Sequence, residues 1–147
     1  MKGRQSAGQA RILVVDRDDW CRQFLSSVIK LLGFEEFMLV NSVAEALDAL
    51  QEGAFDLLIA DLKFPDYRRL LEDARHRNPT MRFILMVQQR GYTQQLVYLE
   101  QVDIVYKPLS LDEIARKIRH AIHQKNLRQA EEELRRMKQE ALRMFLG

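Results

Sequence analysis

The chain is poor in the features that mark several protein classes. Cys21 is its only cysteine, which excludes an intrachain disulfide and a cysteine-based metal site and fits a reducing compartment. Neither sign of charge dominates: 23 lysines and arginines face 21 acids, and a net charge of +2 is too near balance to point to nucleic acid or an anionic membrane as the main partner. Long apolar runs are missing too. The longest, Phe83 to Val87, is far too short to span a bilayer, and Met1 to Arg11 lacks the apolar stretch of a signal peptide. No internal repeat or low-complexity stretch is present. What remains is 47% apolar and 30% charged residues, the mix of a globular protein with one core, and we expect a cytoplasmic location.

Residues 1–10 are small and polar without periodicity and read as a flexible tail. Four short apolar runs follow: Ile12 to Val15, Leu57 to Ala60, Phe83 to Val87 and Ile104 to Tyr106, with a weaker one at Phe37 to Val40. Uninterrupted runs suit strands buried on both faces of a parallel sheet. Helical spacing fills the gaps. Trp20, Phe24, Leu25, Val28, Ile29 and Leu32 form one helix stopped by Gly33. Ser42-Val-Ala-Glu45 and Ser110-Leu-Asp-Glu113 have the form of capping boxes that open two more. Leu70, Leu71 and Ala74 suggest a helix ended before Pro79, and a less regular one is expected over Thr93 to Gln101. Strands alternating with helices imply an α/β doubly wound sheet, whose site lies at the C-terminal strand ends.

Asp16 follows the first strand, Asp61 the third and Lys107 the last, so the topology places all three at that edge. Singly, an aspartate after a buried strand is a common turn or cap residue. Together, Ile12-Leu-Val-Val-Asp16, Phe55-Asp-Leu-Leu-Ile-Ala-Asp61 with Pro65 four residues on, and Tyr106-Lys107-Pro108 resemble the receiver domain of two-component response regulators. The resemblance runs from about Arg11 to His123. It implies a flavodoxin-like five-stranded parallel sheet of order 2-1-3-4-5, with Asp61 as the phosphoacceptor and Lys107 contacting the phosphate. It also implies a cis Lys107-Pro108 bond and a histidine kinase or phosphotransfer protein as partner. Receiver domains hold Mg²⁺ through acids after the first strand, the acceptor and a backbone carbonyl, and phosphoryl transfer there rests on positioning and charge neutralisation.

The sequence departs from that pattern. The second acid after strand one falls on Arg17, which cannot ligate a cation; Asp18 is an acid one place later. The switch hydroxyl falls on Val87 or Gln88, neither of which has one, and the switch aromatic falls on Ile104, with Tyr106 nearby. The loop Leu62 to Tyr67 is about two residues shorter than usual, lacks the expected glycine and carries Lys63. We therefore expect a degenerate receiver. An inward Arg17, paired with Asp61 or Asp16, would stand in for Mg²⁺, and the metal site of Asp16, Asp18 and Asp61 would be weak or absent. No cofactor is expected unless that acidic site still works. Two alternatives stay open: residual phosphotransfer to Asp61, and a structural dimerisation scaffold. With no Ser-His or Cys-His arrangement and no glycine-rich phosphate loop, an enzyme is not expected.

From Leu111 no glycine or proline interrupts the pattern until Gly147. Ile114, Ile118, Ala121 and Ile122 make a core face. Beyond His123, Leu127, Ala130, Leu134, Met137, Ala141 and Met144 alternate in steps of three and four, the a/d seam of a coiled coil. Glu133 at g and Lys138 at the next e would attract across a parallel homodimer. Residues 11–123 are thus expected as the receiver domain and 124–147 as a dimerising extension or a linker toward an output domain. A single helix folded back on the body is the other reading. His120 and His123 lack a third ligand and read as surface histidines, and Cys21 as a buried small hydrophobe. Arg116, Lys117, Arg119, Lys125 and Arg128 are followed at once by three glutamates from Glu131, so direct DNA binding is not expected.

Overall fold

A computed structural model of the chain describes residues 10–63, 65–88 and 101–146. Its elements run β1 (Arg11–Val15), α1 (Asp19–Leu31), β2 (Glu36–Val40), α2 (Val43–Glu52), β3 (Leu57–Asp61), α3 (Tyr67–Arg77), β4 (Arg82–Val87), β5 (Val102–Tyr106) and α4 (Leu111–Leu146). The five strands are all parallel and ordered β2-β1-β3-β4-β5, the expected flavodoxin-like arrangement. The helix expected over Thr93 to Gln101 lies outside the described residues, Gln101 apart.

The continuous apolar runs are explained by burial on both faces. Alternate residues of β1 and β3 go to opposite sides. Leu13, Val15, Leu58 and Ala60 pack with α2 and α3, while Ile12, Val14, Leu57 and Ile59 pack with α1 and α4. Each fully buried Leu or Ile contributes roughly 1.5–3 kcal/mol of transfer free energy. The central strands therefore dominate the stability and hold the C-terminal sheet edge rigid. β2 reads weakly because it is an edge strand, with Glu36 and Met38 exposed.

The caps follow the sequence. Ser42 Oγ accepts from Glu45 N at 3.1 Å, and Glu45 Oε1 accepts from Asn41 N at 3.0 Å. Ser110 Oγ accepts from Glu113 N. Gly33 takes φ +92° after α1, a conformation that favours glycine. Asn78 closes α3: its side chain donates to Phe55 O and accepts from Thr80.

α4 is one uninterrupted helix of 36 residues, about 54 Å long at the α-helical rise. Ile114, Ile118, Ala121, Ile122 and Lys125 are its buried residues, and every residue from 126 to 146 is exposed. The extension projects away from the body rather than folding back on it. Lys125 stands apart from the exposed basic residues around it, such as Arg116 and Arg128. Only 4% exposed, its ammonium lies 2.9 Å from Asp56 Oδ1, whose other oxygen accepts from Arg11 N.

Candidate functional site

The site begins where β1 ends. Asp16 leaves the strand completely buried, its amide donating to Val40 O. Its Oδ1 accepts from Asp18 N at 2.9 Å, and its Oδ2 lies 2.7 Å from Lys107 Nζ. The strand-to-helix turn thus folds around the carboxylate, and a lysine from the far side of the sheet reaches into it. Asp61, at the end of β3 and 3% exposed, accepts from Lys63 N with Oδ1 and faces Lys107 Nζ with Oδ2 at 3.3 Å. Lys107 follows β5, its amide donating to Val87 O and its peptide bond to Pro108 cis. Asp16, Asp61 and Lys107, 91 residues apart at the extremes, therefore share one rim.

Electrostatics within the rim are mutually compensating. Burial works against the Asp16 carboxylate, but the Lys107 hydrogen bond and charge, the Cys21 thiol and the Asp18 amide outweigh it and hold its pKa below the ordinary value. Burial likewise works against the Lys107 ammonium, and its bond to Asp16 with the charges of Asp61 and Asp16 outweighs that, raising its pKa. Cys21 is buried as expected and also bonds to Asp16. Desolvation first, then the Asp16 hydrogen bond and charge, push its thiol up to about 12. A groove of about 450 Å³ opens beside the rim, lined by Asp18, Trp20, Cys21, Gln88, Lys107, Pro108 and Leu109.

A family model described as the response regulator receiver domain matches residues 12–119. The chain belongs to that family. A curated relative, response regulator protein FleR of Pseudomonas aeruginosa, is 34% identical over 123 residues, which is 78% of this chain. The chain spans about a quarter of that relative's length, the matched part being 25% of it. Among solved structures, a response regulator receiver protein from Sinorhizobium medicae is similar at TM-score 0.72 and 21% identity, covering 82% of this chain and 99% of that one. NtrX from Brucella abortus, solved in complex with ADP, is similar at TM-score 0.76 and 20% identity, covering 85% and 30%. These two likenesses show the receiver fold. Among the described residues no helix is long and apolar enough to cross a membrane.

Within this receiver the remaining positions fall as follows. Arg17 is exposed as a residue, and Lys107 is a cation that faces both Asp16 and Asp61. Asp18 is exposed too. It is the N-cap of α1, and its Oδ1 accepts from Trp20 N at 3.1 Å. Val87 is buried at the end of β4, Gln88 is exposed on the groove, and Ile104 packs half-buried against the α2/α3 side of the core.

One residue escaped the sequence reading. Arg22 on α1 donates to the Asp16 backbone carbonyl at 2.6 Å and pairs with Asp19 at 2.8 Å. A carbonyl acceptor leaves no mark on residue identity. The only available signal was an arginine one helical turn after an acidic run.

Proposed function

We propose that this receiver is an atypical one, in which Asp61 keeps the phosphoacceptor position while the Mg²⁺ site is impaired. Its role is in signalling rather than enzymatic turnover, exercised through protein–protein contacts and dimerisation by the C-terminal helix. The observation that carries the reading is the turn after β1: a guanidinium stands at position 17 where the second acid is expected, and the next acid, Asp18, is turned to cap α1 through Trp20 N.

The donor set suits Mg²⁺ poorly. Both Asp16 oxygens are engaged, by Asp18 N and by Lys107, and both Asp61 oxygens by Lys63 N and Lys107. Asp18 caps α1, and a guanidinium side chain stands at position 17. Among the described residues no three His, Cys, Asp or Glu side chains are grouped to hold a metal. Mg²⁺ requires near-octahedral oxygen ligands, so a site whose oxygens already face cations and amides is a weak one.

The upstream partner on this reading is a histidine kinase or phosphotransfer protein docking at the groove. The loss of a hydroxyl at Val87 and Gln88 and of an aromatic at Ile104 supports weak coupling between acceptor chemistry and the rest of the domain. A conventional receiver phosphorylated at Asp61 is the second reading, favoured by the acceptor and lysine standing face to face. Fluorescence of Trp20, 66% exposed beside Asp18 in the groove, separates the two. The atypical reading expects no saturable change in millimolar Mg²⁺; saturable quenching supports the conventional one.

A further inference from the structure

The apolar face of α4 ends on a charge. Ile114, Ile118, Ala121 and Ile122 lie against the sheet, and the next residue on that face, at helical spacing from Ala121 and Ile122, is Lys125. A lysine at the margin of a core ordinarily buries its stem and lifts the ammonium into water. Here the side chain is 5% exposed and the ammonium turns inward, 2.9 Å from Asp56 Oδ1. Every residue from 126 to 146 is exposed, so Lys125 is the last residue of α4 buried against the body.

Asp56 is a fixed post. It stands immediately before β3. Its amide donates to Arg11 O at 2.8 Å, its carbonyl accepts from Arg82 N at 3.1 Å, and its Oδ2 accepts from Arg11 N at 2.8 Å. The residue is therefore tied to β1 and β4 before Lys125 reaches it. Three residues further along α4, Arg128 Nη1 meets the side-chain oxygen of Gln101, whose amide nitrogen donates to Met81 O. A buried ion pair is often no more stabilising than apolar residues of similar volume, because desolvation offsets the attraction. What it adds is direction. The apolar contacts of Ile114, Ile118, Ala121 and Ile122 are non-directional and tolerate a tilt or slide of the helix. An ammonium held to one immobile carboxylate oxygen does not.

We propose that Lys125 is a positioning residue: through Asp56 it fixes the direction in which the extension leaves the body. It ties α4 to the base of the strand that carries Asp61 at its other end. The helix runs on past Lys125 without a break, so a small tilt at the base is magnified along its length. Residues 126–146 span about 30 Å, and a tilt of about 10° at Lys125 carries the far end roughly 5 Å. A partner held by the extension thus meets the rim of Asp16, Asp61 and Lys107 in one orientation. The inference stands for an atypical and for a conventional receiver, and for a single chain as for a dimer.

Two spin labels on the full chain test it, one at Ser27→Cys on α1 and one at Gln139→Cys on the extension, both exposed positions. Cys21 is buried and stays unlabelled. Dilution with excess unlabelled chain restricts the reading to distances within one chain. The parent is expected to show a single narrow distance. Lys125→Met/Asp56→Asn leaves no charge of this pair unpaired; it should keep the parent's circular dichroism and lose the narrow distance to a broad distribution. D56N alone keeps an oxygen for the ammonium without the charge and should fall between the two. A pair that only stabilises the fold would shift the urea midpoint and leave the distance unchanged. A double variant that retains the parent's narrow distance therefore overturns the proposal, the apolar face alone then setting the direction. A broad distribution in the parent overturns it as well, and so does a double variant that fails to fold, since the pair would then be a stability element rather than an orienting one.

Discussion

Lys107 Nζ stands nearer to Asp16, at 2.7 Å, than to Asp61, at 3.3 Å. Asp16 is the fully buried member, so the shorter contact offsets the larger desolvation cost. The Asp61 carboxylate takes the longer contact of a shared cation, and the one ammonium offsets part of the charge of the two carboxylates.

Removing that cation leaves Asp16 and Asp61 buried without the ammonium they share. Lys107→Met is expected to cost about 3–5 kcal/mol in urea unfolding, the range for breaking a buried pair from one side. The double variant Asp16→Asn/Lys107→Met should lose less than K107M alone, because one buried carboxylate, Asp61, is then left without the ammonium instead of two.

Stability should fall at both ends of the pH range for opposite reasons. Asp16 has a lowered pKa in the fold, so its contribution is complete above the unfolded carboxylate value of about 3.9 and is lost as pH drops through the depressed folded value. Lys107 has a raised pKa, so its contribution is complete below about 10.4 and is lost as pH rises through the folded value. Urea midpoints should hold level between and decline on either side, and Asp16→Asn should flatten the acid limb.

Much of this fold is legible in the sequence because its strands are buried on both faces. Runs such as Phe83 to Val87 have no polar alternation to confuse them, and the Ser42 and Ser110 caps mark helix starts locally. Asp16, Asp61 and Lys107 are legible because strand ends in a parallel sheet share an edge. What the sequence does not carry is which cation answers which carboxylate. Arg17 is adjacent to Asp16 in sequence but exposed, while Lys107, far away along the chain, fills the space. The Lys125–Asp56 pair has the same character. Lys125 sits at helical spacing from Ala121 and Ile122 and could be placed on the core face, but its partner is set by the sheet edge below.

Cys21 should be an inert thiol. With its pKa pushed up to about 12 by burial and by Asp16, alkylation near pH 8 should run about a thousandfold slower in the folded chain than in urea. Asp16→Asn should speed the folded-state reaction, since it removes the neighbouring carboxylate while leaving the burial.

The projecting helix should be separable from the body in its effects. Leu134 is 52% exposed at a seam position, so Leu134→Glu should convert a dimer to a monomer in sedimentation equilibrium. Thermal unfolding of the monomeric body should stay within about 0.5 kcal/mol of the parent, as for surface changes away from the core.

Exposure of the full chain to a small-molecule phosphodonor with Mg²⁺, followed by intact mass measurement, tests the central claim most directly. The account predicts a mass that stays essentially unmodified, with Arg17→Asp gaining a phosphoryl group that Asp61→Asn then abolishes. Stoichiometric phosphorylation of the unaltered chain at Asp61 would contradict it.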